Sequence, residues 1–192
     1  MLRDIGAARG TGLPGHQGDF YSRDALTEDN ELTPALKTLG WRLESPVACR
    51  TTTELMPTVS SLFRQRLRWY RGALESLPRY GFTRVTARYW FQQAMLTLTT
   101  IMMFLYLGAT ALVVAAGQFQ WSSFWLAVGL IFVVERLVTV WSNGPGGRAW
   151  AALVLPEMIY DLILMTAFVT AAANTLFKTT PKWHHLEGVS HV

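Results

Sequence analysis

Between Gln92 and Ala116 the chain runs QQAMLTLTTIMMFLYLGATALVVAA without a single charge. A membrane span needs about 20 apolar residues at 1.5 Å rise each, so this stretch is long enough to cross a bilayer. Tyr89 and Trp90 stand just before it and suit an interfacial aromatic belt. Trp121 to Trp141 reads as a second span with aromatics at both ends, interrupted in its last third by Glu135 and Arg136. Charge at the bilayer centre is costly, so this adjacent, mutually compensating pair belongs near the headgroups or inside a helix bundle. Asn143-Gly-Pro-Gly-Gly147 is a turn cluster expected to break the helix. Beyond it, Trp150–Phe177 is too long for one upright span and contains Pro156, Glu157 and Asp161. We read 149–157 as interfacial and about 158–177 as a third span, with Asp161 near its cytoplasmic end. The tail, 178–192, reads as irregular.

The remaining polarity is segregated. The chain is 51% apolar and only 16% charged, with most of the charge in residues 1–90. A cytosolic piece followed by membrane helices fits that distribution. The first residues, MLRDIGAARGTGLPG, contain no apolar core and form no signal peptide, so the internal helices must direct membrane insertion. One cysteine, Cys49, excludes an internal disulfide and is compatible with a reducing compartment. Arg64, Arg66, Arg68, Arg71, Arg79, Arg84 and Arg88 all precede the first span, which places the N-terminal half on the cytoplasmic side of the plasma membrane. The same clustering accounts for the net charge of +4 without nucleic acid as a partner.

Within the cytoplasmic half, residues 27–39 predict a helix. Thr27 suits an N-cap, acidic residues fill the first turn, Leu32, Leu36 and Leu39 recur at helical spacing, and Gly40 is a stop. Residues 41–44 and 47–51 predict short strands around Pro46. Gly10-Thr-Gly12 and Pro14-Gly15 predict loop. Residues 57–80 predict an amphipathic helix with Pro57 in its first turn. Phe63, Leu67, Tyr70, Leu74 and Leu77 share an apolar stripe, while Gln65, Arg68, Trp69 and Gly72 fall opposite. Such a helix lies flat on the membrane, its lipid-facing side down, with Arg64 and Arg71 snorkelling toward phosphates. It presents an amide, a guanidinium and an indole upward. A guanidinium binds diphosphate oxygens and an indole face stacks on a sugar ring. A carboxylate such as Asp29 can take the proton of an attacking hydroxyl. Taken singly, Asp29 also fits a helix N-terminus and the arginine helix a plain membrane anchor.

Thr27-Glu28-Asp29 resembles the TED motif, and Gln65-Arg66-Leu67-Arg68-Trp69 the QxxRW motif, of the processive family-2 glycosyltransferases: cellulose, chitin, hyaluronan and poly-N-acetylglucosamine synthases. The order of the motifs, their separation and the spans that follow are similar. So are Gly10-Thr-Gly12, and Pro156-Glu157 with Tyr160-Asp161 and Trp183-His184. The resemblance implies an α/β plus membrane-α fold: an incomplete C-terminal portion of a GT-A domain (1–56), an interface helix (57–80), about three transmembrane helices (spans 92–116, 121–141 and 158–177 within 81–177) and the tail. It implies that Asp29 is the general base for inverting transfer from a UDP-sugar to a glycan or lipid-linked acceptor. Thr27, Glu28, Gln65, Arg68 and Trp69 would bind substrate, Gln65 and Arg68 at the diphosphate and Trp69 under the acceptor sugar, with the spans along an export path.

The family's DxD motif, which holds Mg²⁺ or Mn²⁺, and its uridine-binding half do not occur in the 26 residues ahead of Thr27. A GT-A domain needs roughly 200 residues on the usual scale of α/β domains. The nucleotide-binding half is therefore expected from a longer protein or a separate chain, unless the gene is degenerate, and the chain alone is expected to be inactive. Two other classes compete: a non-catalytic membrane subunit that docks a partner through the basic helix, and a small transporter using Glu135, Arg136 and Asp161. Neither explains the QRLRW face.

Overall fold

The computed structural model describes residues 1–46, 48–49, 51–53 and 55–179. Among these the chain is mostly helical and contains no strand. Seven α-helices follow in order: α1 (Leu2–Ala8), α2 (Glu28–Thr38), α3 (Val59–Tyr80), α4 (Ala87–Ala115), α5 (Ser123–Thr139), α6 (Gly144–Ala152) and α7 (Val154–Leu176), with a single 3-10 turn, Trp141–Asn143, before α6. They fall into two compact units. The described residues of Met1–Ala94 and those from Ala167 to Thr179 form one; Met95–Thr166 form the other.

In the first unit, α1 and α2 share a small core of Ile5, Leu13, Ala35 and Leu36, with Leu32, Leu39 and Tyr80 packed around it. Helix α2 begins and ends where its sequence dictates. Thr27 is the N-cap residue. At the other end Gly40 adopts φ 83°, and the amides of Gly40 and Trp41 bond back to the carbonyls of Lys37 and Leu36 at 3.1 and 3.0 Å. This double closure satisfies two carbonyls the helix end would otherwise leave open.

Helix α3 starts at Val59. Thr58 and Ser61 form a reciprocal hydroxyl cap, at 3.1 and 3.2 Å, so Pro57 lies before the helix and not in its first turn. At its far end the chain turns sharply into α4. The Gly81 carbonyl accepts from the Thr86 hydroxyl (2.8 Å) and the Trp90 indole (3.2 Å), which fixes the start of α4 to the end of α3. Lys37 donates to the Tyr89 hydroxyl at 2.9 Å and ties α2 to the same corner.

Helices α4 and α7 are each long and apolar enough to cross a membrane. Large apolar side chains along α4, among them Phe91, Leu98, Ile101, Leu105 and Leu112, are exposed, as lipid-facing groups must be. Helix α5 and the segment Trp141–Ala152 reach that length and apolarity only together and bend by 61° at their junction, so among the described residues two helices, or three if the bent pair is one span, are long and apolar enough to cross a membrane.

Several expectations are corrected. Residues 41–44 form no strand: these side chains are exposed, and no neighbouring strand among the described residues offers the hydrogen bonds a strand requires. The α/β character therefore does not appear here. The second expected strand, 47–51, includes residues outside the described ones, as do Trp183 and His184. Residues 2–8, to which the sequence reading assigns no element, form α1. The cluster at 143–147 starts a helix where it was expected only to end one, because Pro145 in a first turn has no amide to waste. The third span begins at Val154, so the expected interfacial segment 149–157 is divided between α6 and α7. Arg136 pairs across helices with Glu157, not with its neighbour Glu135.

Candidate functional site

The sequence motifs meet where α2 packs on α3. Thr27, Asp29, Asn30 and Thr33 from α2 and Trp69 from α3 line one open cleft of about 400 Å³. Asp29 and Thr33 share a helix face by their four-residue spacing. Asp29 is exposed, and its Oδ1 accepts the Asn30 amide at 2.8 Å, leaving the carboxylate reachable from solvent. Pro34, inside α2, removes the amide that would otherwise bond to the Asn30 carbonyl.

Close approach of the two helices depends on Gly72. A Cβ there would overlap the Thr27 hydroxyl and stand 3.1 Å from Thr27 Cγ2. Thr27 is buried, and its Oγ1 neither caps α2 nor finds another partner among the described residues. It is a polar atom held in the wall of the cleft. Trp69 is 39% exposed, with the Arg66 guanidinium 4.7 Å from its ring centroid. Arg66, not the motif's Arg68, thus stacks on the indole. Glu28, Gln65 and Arg68 do not line the cleft; Glu28 and Arg68 are exposed and Gln65 half-buried.

Behind the cleft lies a network with no precursor in the motif reading. Glu31, on α2, is buried and accepts from both terminal guanidinium nitrogens of Arg9, at 2.6 and 2.8 Å, and from the Tyr80 hydroxyl. Arg9 also donates to the carbonyls of Pro14 (2.7 Å) and Phe20 (3.3 Å). A bidentate pair of this kind is among the stronger polar contacts available to a protein. The Glu31 hydrogen bond holds the Arg9 guanidinium above its ordinary pKa, against the opposing effect of burial. Burial, reinforced by the hydrogen bond to Glu31, pushes the Tyr80 phenol well above its usual value. The network ties the α1–loop segment, α2 and the end of α3 together.

Among the described residues no group of three or more His, Cys, Asp or Glu side chains could hold a metal ion.

The second unit holds a separate cleft of about 830 Å³ between α5, α6 and the start of α7, lined by Glu135, Arg136, Trp150, Glu157 and Tyr160 among others. Glu135 and Arg136 are thus gathered in one place with Glu157, as charges within apolar helices must be if they are to satisfy one another. Asp161 does not line it.

No known family model, curated protein or solved structure matches the chain.

Proposed function

We propose that this chain is the acceptor and membrane part of an inverting, membrane-embedded glycosyltransferase that moves a sugar from a UDP-sugar to a glycan or lipid-linked acceptor. The observation that carries this reading is that Asp29 and Trp69, one residue from each motif, line the same cleft. The cleft offers what the reaction needs on the acceptor side: an aromatic surface for a sugar ring, a reachable carboxylate and an unpartnered hydroxyl.

In the reaction, the acceptor sugar rests against Trp69 with a hydroxyl directed at Asp29. The carboxylate takes the hydroxyl proton as the oxygen attacks the anomeric carbon. The new C–O bond forms on the face opposite the breaking bond to the diphosphate, and UDP leaves with that electron pair. Arg68 and Gln65, on the same helix as Trp69, donate to the diphosphate oxygens as negative charge grows there. Glu28 and Thr27 shape the acceptor end. The uridine and its cation are held by a nucleotide-binding half carried on other residues than these, in a longer protein or a separate chain.

Kinetics in membranes that contain both halves test the assignment. Asp29→Asn is expected to lower sugar incorporation by about 10²–10⁴-fold while leaving protein level and insertion unchanged, the span a positioned general base supplies. Trp69→Ala is expected to raise the acceptor KM more than it lowers kcat, and Trp69→Phe to restore most of the loss. Wild-type turnover in Asp29→Asn would contradict the role given to that carboxylate.

A further inference from the structure

We propose that the corner between α3 and α4 binds an anionic phospholipid, its phosphate held by Arg84 and Arg88 and its acyl chain lying along Phe91. The corner lies within one compact unit, and the proposal does not rest on the reaction proposed above.

The chain's own hydrogen bonds fix this corner. Thr83 and Thr86 cap each other: the Thr83 amide donates to Thr86 Oγ1 at 2.7 Å, and the Thr86 amide donates to Thr83 Oγ1 at 3.2 Å. The Thr83 carbonyl accepts from the Ala87 amide at 2.8 Å, so residues 84–86 form a helical turn that runs into α4. Thr86 is fully buried, and its hydroxyl and the Trp90 indole both donate to the Gly81 carbonyl. With the turn held as helix, Arg84, Arg88 and Phe91 recur at i, i+4 and i+7 and share one stripe. All three are exposed. Phe82, 78% exposed, gives the same corner a second uncovered ring.

Two arginines are out of place here unless an anion joins them. Like charges four residues apart on a helix repel, and cations in a first turn meet the positive end of the helix dipole. The chain does not compensate. Arg9, Arg23, Arg71, Arg79 and Arg136 each reach a carboxylate, whereas among the described residues neither Arg84 nor Arg88 has an ion-pair partner. Lys37, whose Nζ lies 2.9 Å from the Tyr89 hydroxyl, adds a third positive charge to the corner. Arg88 is also the last charge before the apolar run of α4, so the stripe passes from guanidinium to phenyl where the candidate span begins. One phospholipid molecule matches that order of groups, with phosphate oxygens for the planar guanidinium donors and hydrocarbon for the ring. Its head must carry net negative charge: residues 81–91 include no carboxylate to receive the ammonium of a zwitterionic head. Basic residues beside a span attract anionic lipid for the same reason. Free phosphate leaves Phe91 uncovered.

Native mass spectrometry of the full chain tests the site, with the protein released from micelles doped with equal amounts of dioleoyl phosphatidylglycerol and dioleoyl phosphatidylcholine. The wild type is expected to retain phosphatidylglycerol over phosphatidylcholine by about tenfold, the scale that two basic groups beside a membrane supply. Arg84→Gln with Arg88→Gln is expected to abolish that preference. Arg42→Gln with Arg64→Gln, which removes the same charge from two other exposed positions, is expected to preserve it. Phe91→Ala is expected to lower phosphatidylglycerol retention, and glycerophosphoglycerol, the same head without acyl chains, to displace none even in large excess. An equal fall in the two double variants would assign the effect to net charge and overturn the site. Full retention in Phe91→Ala, or displacement by glycerophosphoglycerol, would equally overturn a lipid as the occupant. The unsubstituted chain guards against variants that fail to fold: equal retention of both lipids by the wild type overturns the proposal whatever the variants do.

Discussion

Thr27 and Gly72 stand 45 positions apart, and their contact decides whether Asp29 and Trp69 can share a cleft. A methyl at position 72 meets the Thr27 hydroxyl and methyl at once, with no room for either to turn away along a buried helix contact. Overpacking of this kind costs about 1–3 kcal/mol. Gly72→Ala is expected to lower the melting temperature of the detergent-solubilised protein. Thr27→Ala, which removes the clashing atoms, should recover most of that loss in the double variant; an additive double variant would show that the two residues do not meet. The Tyr80 phenol supplies a pH signature. Its pKa is raised in the folded chain, chiefly by burial. Below the ordinary phenol value of about 10, the group is neutral in folded and unfolded chains alike. Above it the unfolded chain ionises while the folded chain does not, so stability is lost as pH rises. Melting temperatures between pH 8 and 11 should therefore fall more steeply for the wild type than for Tyr80→Phe.

Helices α2 and α3 were legible because their signals are local. Thr27, the leucines at 32, 36 and 39 and Gly40 lie within one helix length, and the observed bounds of α2 agree with them to within a residue. The apolar stripe of α3, expected to face lipid, instead packs on protein at Leu77, which is buried, and at Tyr70, which meets Phe168, and Arg71, expected to reach lipid phosphates, is buried and paired with Glu75. What was not legible depends on partners distant in sequence. Helix α1 has seven residues and no capping side chain, and it is held by a core that includes Ala35 and Leu36. Glu31 looked like one more acidic residue of a first turn, and nothing near it in sequence announces Arg9 or Tyr80. The cleft was half legible: Asp29 and Trp69 were named from motifs, whereas Asn30 and Thr33 entered it only through the way α2 leans on α3. The start of α3 was misassigned by one device, because a hydroxyl cap satisfies amides that proline merely lacks. Thr58→Ala should cost about 1 kcal/mol locally. Hydrogen exchange is expected to quicken at the amides of residues 59–62 and to stay unchanged in α4; an unaltered exchange rate at Ser61 would show that the cap contributes nothing.

At the scale of the molecule, the chain divides its work between a small polar unit built around the α2–α3 contact and an apolar helical unit whose exposed surface calls for lipid. The first holds the cleft lined by Asp29 and Trp69, and its packed core is only four buried residues with a few neighbours. A core of that size contributes little stability by itself. The lipid-facing helices are expected to carry much of the rest, so the chain should remain in the membrane pellet through alkaline carbonate extraction. The most direct test of the account is radiolabelled sugar incorporation from a panel of UDP-sugars, in membranes containing this chain alone, a family-2 nucleotide-binding half alone, and the two together. The account predicts incorporation only with both, abolished when the chain carries Asp29→Asn. Incorporation by the nucleotide-binding half at the same rate without this chain, or none from any UDP-sugar with both inserted, would contradict it.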